Sequence, residues 1–399
     1  MPSVSTAPVG HTRRGIPALT GVRIFAAVWV VLFHLRDHIA VLFGPTPIDA
    51  VSRAGYLGVD VFFVLSGFII SYQYLQQFAT FRRDRYLRFL WARLARIYPL
   101  QLATLLGLAV LVAAAAVAGL SVDNAERYDL GGFLLDLTLL RSWVGSSQGW
   151  NFPAWSLSAE WFAYVVFPAL ALVLARPLRT SIRLAVLVAL AVASALWVHG
   201  LGRAGEDQPM APPLLRVIIP FALGCVLYSL YRDGVGAGLP WKVLAPVAFL
   251  ALFGATTGSD LGLRGTLAVV LSGVLVLALA QDGDGPLSRV LASRPVVYGG
   301  KISFALYMTH NPVLVVMARL LPVDGLGDAA WTVRAGAFAA YVVVLLGVAA
   351  LAFHLVEAPA QRVMKAHYPG APRPVPGGGA AAGPAPGPAR DVEAGSPAV

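Results

Sequence analysis

Long apolar stretches recur along the chain, separated by short polar or Pro/Gly-rich connections. A helix rises 1.5 Å per residue, so about 20 apolar residues cross a hydrocarbon core of about 30 Å. On that scale the pattern predicts ten membrane helices, near residues 18–43, 57–76, 98–120, 154–175, 183–200, 213–231, 242–258, 264–281, 297–320 and 332–355. Stretches such as Leu102 to Leu120 are apolar on every face. A transmembrane barrel would instead show short segments of alternating polarity. The predicted fold is therefore all-α, a polytopic membrane helix bundle of about ten transmembrane helices. Residues 131–141 are apolar but too short to cross, and are expected to form a re-entrant or interfacial helix.

Composition supports this reading. The 399 residues are 58% hydrophobic and 13% charged, against about 25% charged in ordinary soluble domains, which excludes a soluble enzyme. The single cysteine, Cys225, excludes an intramolecular disulfide, and no Cys/His cluster points to zinc, so no metal is expected. The net charge of +10 reads as topology rather than as a nucleic-acid surface, because the arginines are unevenly placed. With the N-terminus cytoplasmic, Arg13, Arg14, the cluster Arg82, Arg83, Arg85, Arg88, Arg93 and Arg96, then Arg176, Arg179, Arg183, Arg232, Lys242, Arg289, Arg294, Arg362 and Lys365 fall inside. Outside fall Arg53, Arg127, Arg141, Arg203, Arg264 and Arg334, among acids including Asp123, Glu126, Asp129, Glu206, Asp207, Asp324 and Asp328. Both termini are then cytoplasmic, as an even number of spans requires. No small-residue cleavage site follows the first apolar helix, so no signal peptide is expected. Residues 1–17 read as a cytoplasmic tail and 18–362 as the membrane domain. Residues 363–399, rich in Gly, Pro and Ala, read as a disordered cytoplasmic tail.

Ionisable residues inside spans each cost several kcal/mol unless they face a polar cavity. Arg23 and His34 stand eleven residues apart on the first helix. That is about three turns, so they share a face and lie about 16 Å apart along the axis. His38 continues the stripe by one turn. A snorkelling arginine and a histidine that merely bonds a neighbouring helix would give the same pattern. Asp60 opens the second helix at a depth comparable to His34. It reads either as a helix cap or as the carboxylate that orients and stabilises a catalytic imidazole. Ser66 and Gly67 read as a close-packing notch rather than a nucleophile. In the arginine cluster, Arg93 and Arg96 lie one turn apart at the mouth of a helix, where guanidinium forks suit a polyphosphate; topology alone also accounts for part of the cluster. The stretch from Trp150 to Phe162 carries Glu160 about two turns into a span, near Trp150 and Trp155. Those tryptophans fit either an interfacial belt, the plainer role for Trp150, or a surface that stacks on a sugar. Ser303 to His310 places Tyr307, a second histidine and further hydroxyls near the midplane, as helix-to-helix bonds or as acceptor contacts.

In combination these segments resemble acyltransferase family 3, the integral-membrane O-acyltransferases. The matching pieces are Leu19-Thr20-Gly21-Val22-Arg23 followed by His34, the block from Gly58 to Phe68, Arg93 to Pro99, Trp155 to Glu160, Ser303 to His310, and Val356-Glu357-Ala358-Pro359. They occur in the family's order and cover residues 18 to about 362. The chain departs from the family in having Ile24 where a glycine commonly follows the arginine, and it is expected to lack the esterase-like extra domain that some members carry.

The resemblance implies transfer of an acyl group from acyl-coenzyme A, a co-substrate rather than a bound cofactor, to a hydroxyl of a carbohydrate or glycosylated natural product. It places the functional pair on Arg23 and His34. His34 is then the general base on the acceptor hydroxyl, which attacks the thioester directly. Asp60 and Glu160 are its catalytic companions, Arg23, Arg93 and Arg96 hold the coenzyme A, and Trp155, Tyr307 and His310 contact the acceptor. A route through an acyl-enzyme lacks a convincing nucleophile. The location implied is a bacterial cytoplasmic membrane. Three lysines against 27 arginines look like a high-GC bacterium and lean toward an antibiotic sugar, such as that of a macrolide, over a cell-envelope polysaccharide. A proton-coupled secondary transporter of a small polar substrate is the alternative from another class, although no half-to-half repeat of broken helices is visible.

Overall fold

The computed structural model describes residues 15–368 except 45, 123, 147, 202–212 and 255–260. The tail from residue 369 onward, and Asp123, Arg203, Glu206 and Asp207, lie outside the described residues. In chain order the helices are α1 (Pro17–His34), α2 (Arg36–Phe43), α3 (Pro47–Arg53), α4 (Gly58–Tyr74), α5 (Arg83–Val117), α6 (Leu130–Leu137), α7 (Ala154–Leu174) and α8 (Thr180–Leu201). They continue with α9 (Pro213–Arg232), α10 (Trp241–Gly254), α11 (Leu261–Gln281), α12 (Pro286–Leu291), α13 (Arg294–Leu320), α14 (Trp331–Ala352) and α15 (Ala358–Ala366). No strand occurs among the described residues, as expected where lipid cannot satisfy backbone groups and each helix must close its own hydrogen bonds. α15 carries regular structure four residues beyond 362.

Among the described residues, six helical stretches are long and apolar enough to cross a membrane: Pro17–His34, Gly55–Phe78, Arg83–Val117, Ala154–Leu174, Pro213–Arg232 and Trp331–Ala366. Length and composition alone thus do not confirm the expected count of ten. α8 and α11 have 22 and 21 residues and are apolar over Thr180–Leu196 and Gly265–Gln281, whereas the 14 apolar residues of α10 rise only about 21 Å. α13 has the length, with 27 residues, but carries Arg294, Lys301, Ser303, Thr309, His310 and Asn311. The apolar stretch at 131–141 yields the short α6, with Leu130 and Leu134 exposed and Asp136 buried.

Two helix crossings position the site. α4 meets α9 where a Cβ on Gly67 would stand 2.0 Å from the Phe221 carbonyl oxygen, and one on Gly224 2.1 Å from that of Val64. α1 meets α13 where a Cβ on Gly300 would stand 1.9 Å from the Thr20 carbonyl oxygen. Only glycine permits such approaches, the usual means of close packing without a hydrophobic driving force. The notch expected at Ser66-Gly67 is therefore a property of Gly67.

Three local irregularities matter. The first helix, expected to run unbroken over 18–43, ends at His34 and restarts at Arg36. There Arg36 Nη1 donates to the Phe33 carbonyl at 3.0 Å and its guanidinium lies 4.5 Å from the Phe33 ring centroid. In α13, Pro312 has no N–H, so the Met308 carbonyl one turn back loses its helical donor. Asn151 Nδ2 supplies one at 2.9 Å. After α14 the chain makes a π-turn, Phe353–Glu357, just before Pro359, whose ring cannot sit against the carbonyl four residues back in a regular helix.

Candidate active site

The α1/α13 crossing aligns two rows of polar groups. At the end of α1, His34 faces His310, with ring centroids 4.9 Å apart and planes at 42°. Phe152 closes the other side of His34 at 5.4 Å. His310 is fully buried; its Nδ1 lies 2.6 Å from the Tyr307 carbonyl oxygen, and its Nε2 has no hydrogen-bond partner. Beside it, Tyr307 Oη and Ser156 Oγ share a 2.7 Å hydrogen bond, and both approach the Pro153 carbonyl oxygen, at 3.2 and 3.0 Å.

The connection before α7 is held over this pair by buried polar contacts. Arg141 donates to Asp136 and to the carbonyls of Gly132 and Gln148, while the other carboxylate oxygen of Asp136 accepts from Trp150 N at 2.9 Å. Burial pushes the Asp136 carboxyl up, and its contacts with Arg141 oppose that shift. Trp150 is 8% exposed and packs against Tyr128 and Phe133. The belt position expected for it is therefore replaced by an internal one, because aromatic neighbours cover its ring and the Asp129 carbonyl takes its indole N–H at 2.9 Å. Asn151 joins this connection to α13, accepting from Asn311 Nδ2 at 3.4 Å as well as donating to Met308.

Toward the arginine-rich end, Glu160 accepts from Tyr164 Oη and from Ser66 Oγ at 3.4 Å, and the charges of Arg23 and Arg96 lie within its electrostatic reach. Arg96 pairs with the buried Glu357, which the π-turn delivers. A cavity of 470 Å³ opens here, with Arg23, Arg96, Lys301, Arg362, Glu357 and Gln361 in its lining. One carboxylate against four cations makes it an anion-favouring mouth. Arg93 stands apart from this lining: its Nη2 donates to Tyr74 Oη at 3.1 Å and its guanidinium lies over the Tyr74 ring at 5.1 Å.

Asp60, expected to orient His34, is committed elsewhere. Its Oδ2 accepts from Arg216 Nη2 at 3.3 Å, and among the described residues it makes no hydrogen bond to His34. Arg216 also donates to the Tyr56 carbonyl at 2.8 Å. Its guanidinium lies 5.3 Å from the Trp155 ring centroid, so a cation rather than open space covers that indole. Sequence reasoning passed over Arg216, although an arginine within the predicted span 213–231 was a usable signal. Lys301 could have been found by the same test in 297–320. Asn151 and Asn311 carried no comparable signal. The described residues contain no group of three or more His, Cys, Asp or Glu arranged to hold a metal ion. His38 packs on Tyr341 at 5.1 Å, away from the histidine pair.

Comparison with known proteins adds an independent line. The family model described as an acyltransferase domain matches residues 16–353. The chain is 30% identical to the acyltransferase MdmB of Streptomyces mycarofaciens over 381 residues, covering 90% of this chain and 95% of that protein. It is 23% identical to the peptidoglycan O-acetyltransferase OatA of Listeria monocytogenes, over 78% of this chain and 51% of the relative. For the O-acetyltransferase OatA of Staphylococcus aureus the identity is 20%, over 76% and 51%. The chain thus spans about half the length of the two O-acetyltransferases. No solved structure matches it.

Proposed function

The chain belongs to acyltransferase family 3, and from that premise we propose that it moves an acyl group from acyl-coenzyme A to a hydroxyl of a carbohydrate or glycosylated small molecule. The observation that carries this reading is the distance from the cationic cavity to the histidine pair. Arg23 lines the cavity and His34 stands eleven residues further along the same helix, about 16 Å away. That separation is of the order spanned by an extended pantetheine arm. Coenzyme A phosphates held by Arg23, Arg96, Lys301 and Arg362 would then place the thioester at His34.

In this reaction His34 removes the acceptor proton as the new O–C bond forms at the thioester carbonyl. The C–S bond breaks, and the proton passes to the departing thiolate, so the products are the ester and free coenzyme A. The acceptor reaches His34 from the end covered by Phe152 and the Arg141-anchored connection. Both an antibiotic sugar and a cell-envelope polysaccharide suit that approach. In the proposed topology the arginine-rich end and both termini are cytoplasmic, in a bacterial inner membrane, and α8, α10, α11 and α13 cross as well, ten crossings with the six above, the polar residues of α13 turned to the site.

Detergent-purified protein given acetyl-coenzyme A and acceptor should release free thiol in proportion to acceptor. A transporter of the same helical plan would release none. Because Lys301 and Arg362 are exposed, each phosphate contact is worth about 1 kcal/mol. Lys301→Ala and Arg362→Ala should therefore each raise the donor KM about three- to ten-fold with kcat and acceptor KM nearly unchanged. Arg93→Ala should change the donor KM less than either, since Arg93 is spent on Tyr74. A donor KM that moves only in Arg93→Ala would relocate the phosphates.

A further inference from the structure

We propose that His310 is the positioning residue that fixes the tautomer of His34 and stabilises it once protonated, the task the sequence assigns to Asp60. This rests on the acyl-transfer reading above, with His34 as base.

A backbone carbonyl can only accept, so the 2.6 Å contact between His310 Nδ1 and the Tyr307 oxygen requires the proton on Nδ1. The neutral ring then carries its lone pair on Nε2. That atom is buried without a partner, and leaving such an acceptor unsatisfied costs about 1–3 kcal/mol. Of the groups around it, His34 is the one that can supply an N–H from a ring already in contact. Two imidazoles joined by one N–H···N bond have centroids about 5 Å apart, and these are 4.9 Å apart. The His34 imidazole has no hydrogen bond among the described residues, so a small rotation of the side chain completes the pair.

The result is a chain from the Tyr307 carbonyl to His310, from His310 to His34, and from His34 to the acceptor hydroxyl. With one ring nitrogen of His34 donating to His310 Nε2, the other is left as the lone pair that takes the acceptor proton. After the transfer His34 holds both protons. It still donates to His310, and it returns the acceptor's proton to the thiolate, so His310 gains and loses nothing in the cycle. Pro312 contributes indirectly: by freeing the Met308 carbonyl it lets Asn151 bind this turn of α13.

Two amide substitutions separate this role from packing. In His310→Asn the amide nitrogen replaces Nδ1 and keeps the Tyr307 contact, but nothing reaches His34. In His310→Gln the amide oxygen takes the place of Nε2 and accepts from His34 without binding a proton. His310→Asn should lower kcat about 10- to 100-fold with the donor KM within about two-fold, and His310→Gln should stay within about five-fold of wild type. Selective ¹⁵N-histidine spectra should show a single neutral tautomer for His34 in wild type and His310→Gln, and a mixture in His310→Asn. Equal rates for the two variants, or an unchanged His34 spectrum in His310→Asn, would overturn the pairing. If His34→Ala turns over normally, it is the underlying choice of base that fails instead.

Discussion

Replacing His34 with alanine is expected to lower kcat by about 10²- to 10⁴-fold while leaving the donor KM nearly unchanged. In the proposed reaction the imidazole is needed when the acceptor proton moves, whereas coenzyme A would be held at the cationic cavity about 16 Å away. His38→Ala is the matched control. It removes a histidine one turn further along whose ring packs on Tyr341, away from His310, and its turnover should remain within a few-fold of wild type. Each variant must also run as a monodisperse species in detergent, since a mispacked polar helix would lose activity too. Near-normal turnover by well-folded His34→Ala would remove it from the chemistry.

Arg216→Ala is expected to produce the largest loss of stability. Arg216 and Asp60 are each 9% exposed in their side chains. Removing the cation strands a buried carboxylate, which costs about 3–5 kcal/mol. The single thiol offers the readout: Cys225 is fully buried, so its labelling by a maleimide on heating reports unfolding. Adding Asp60→Asn to Arg216→Ala should recover part of the loss, because the uncompensated charge disappears. Asp60→Asn alone should lower activity only as far as it lowers the folded fraction. A kcat defect in fully folded Asp60→Asn would give the carboxylate a role at His34 that its bond to Arg216 does not.

What could be read from the sequence follows from how local each signal is. The stripe of Arg23 and His34 depends on one helix and its 3.6-residue period, and the structure places both at polar clusters. The glycine at 67 likewise announced a close crossing. The number of spans was less legible, because apolar composition does not distinguish a helix of 14 residues such as α10 from a full crossing. Asp60 was assigned by depth along its own helix, and depth cannot reveal that α9 brings Arg216 to the same level. The docking of Asn151 on the carbonyl freed by Pro312 links residues 157 positions apart. Pro312 marks the vacancy in the sequence, but only the fold names its occupant. Trp150 followed the usual preference of tryptophan for the interface until Tyr128 and Phe133 closed around it.

The central claim is that an acyl group leaves coenzyme A and becomes an ester on a sugar hydroxyl in a step that needs His34. The direct measurement is mass spectrometry of glycosylated acceptors, macrolide sugars and cell-envelope glycan fragments among them, after incubation of the purified protein with isotope-labelled acetyl-coenzyme A. The account predicts an acceptor heavier by one labelled acetyl group, matched mole for mole by free coenzyme A, and absent with His34→Ala. An unmodified acceptor across the whole panel, with labelled or unlabelled solute instead accumulating inside proteoliposomes, would contradict it.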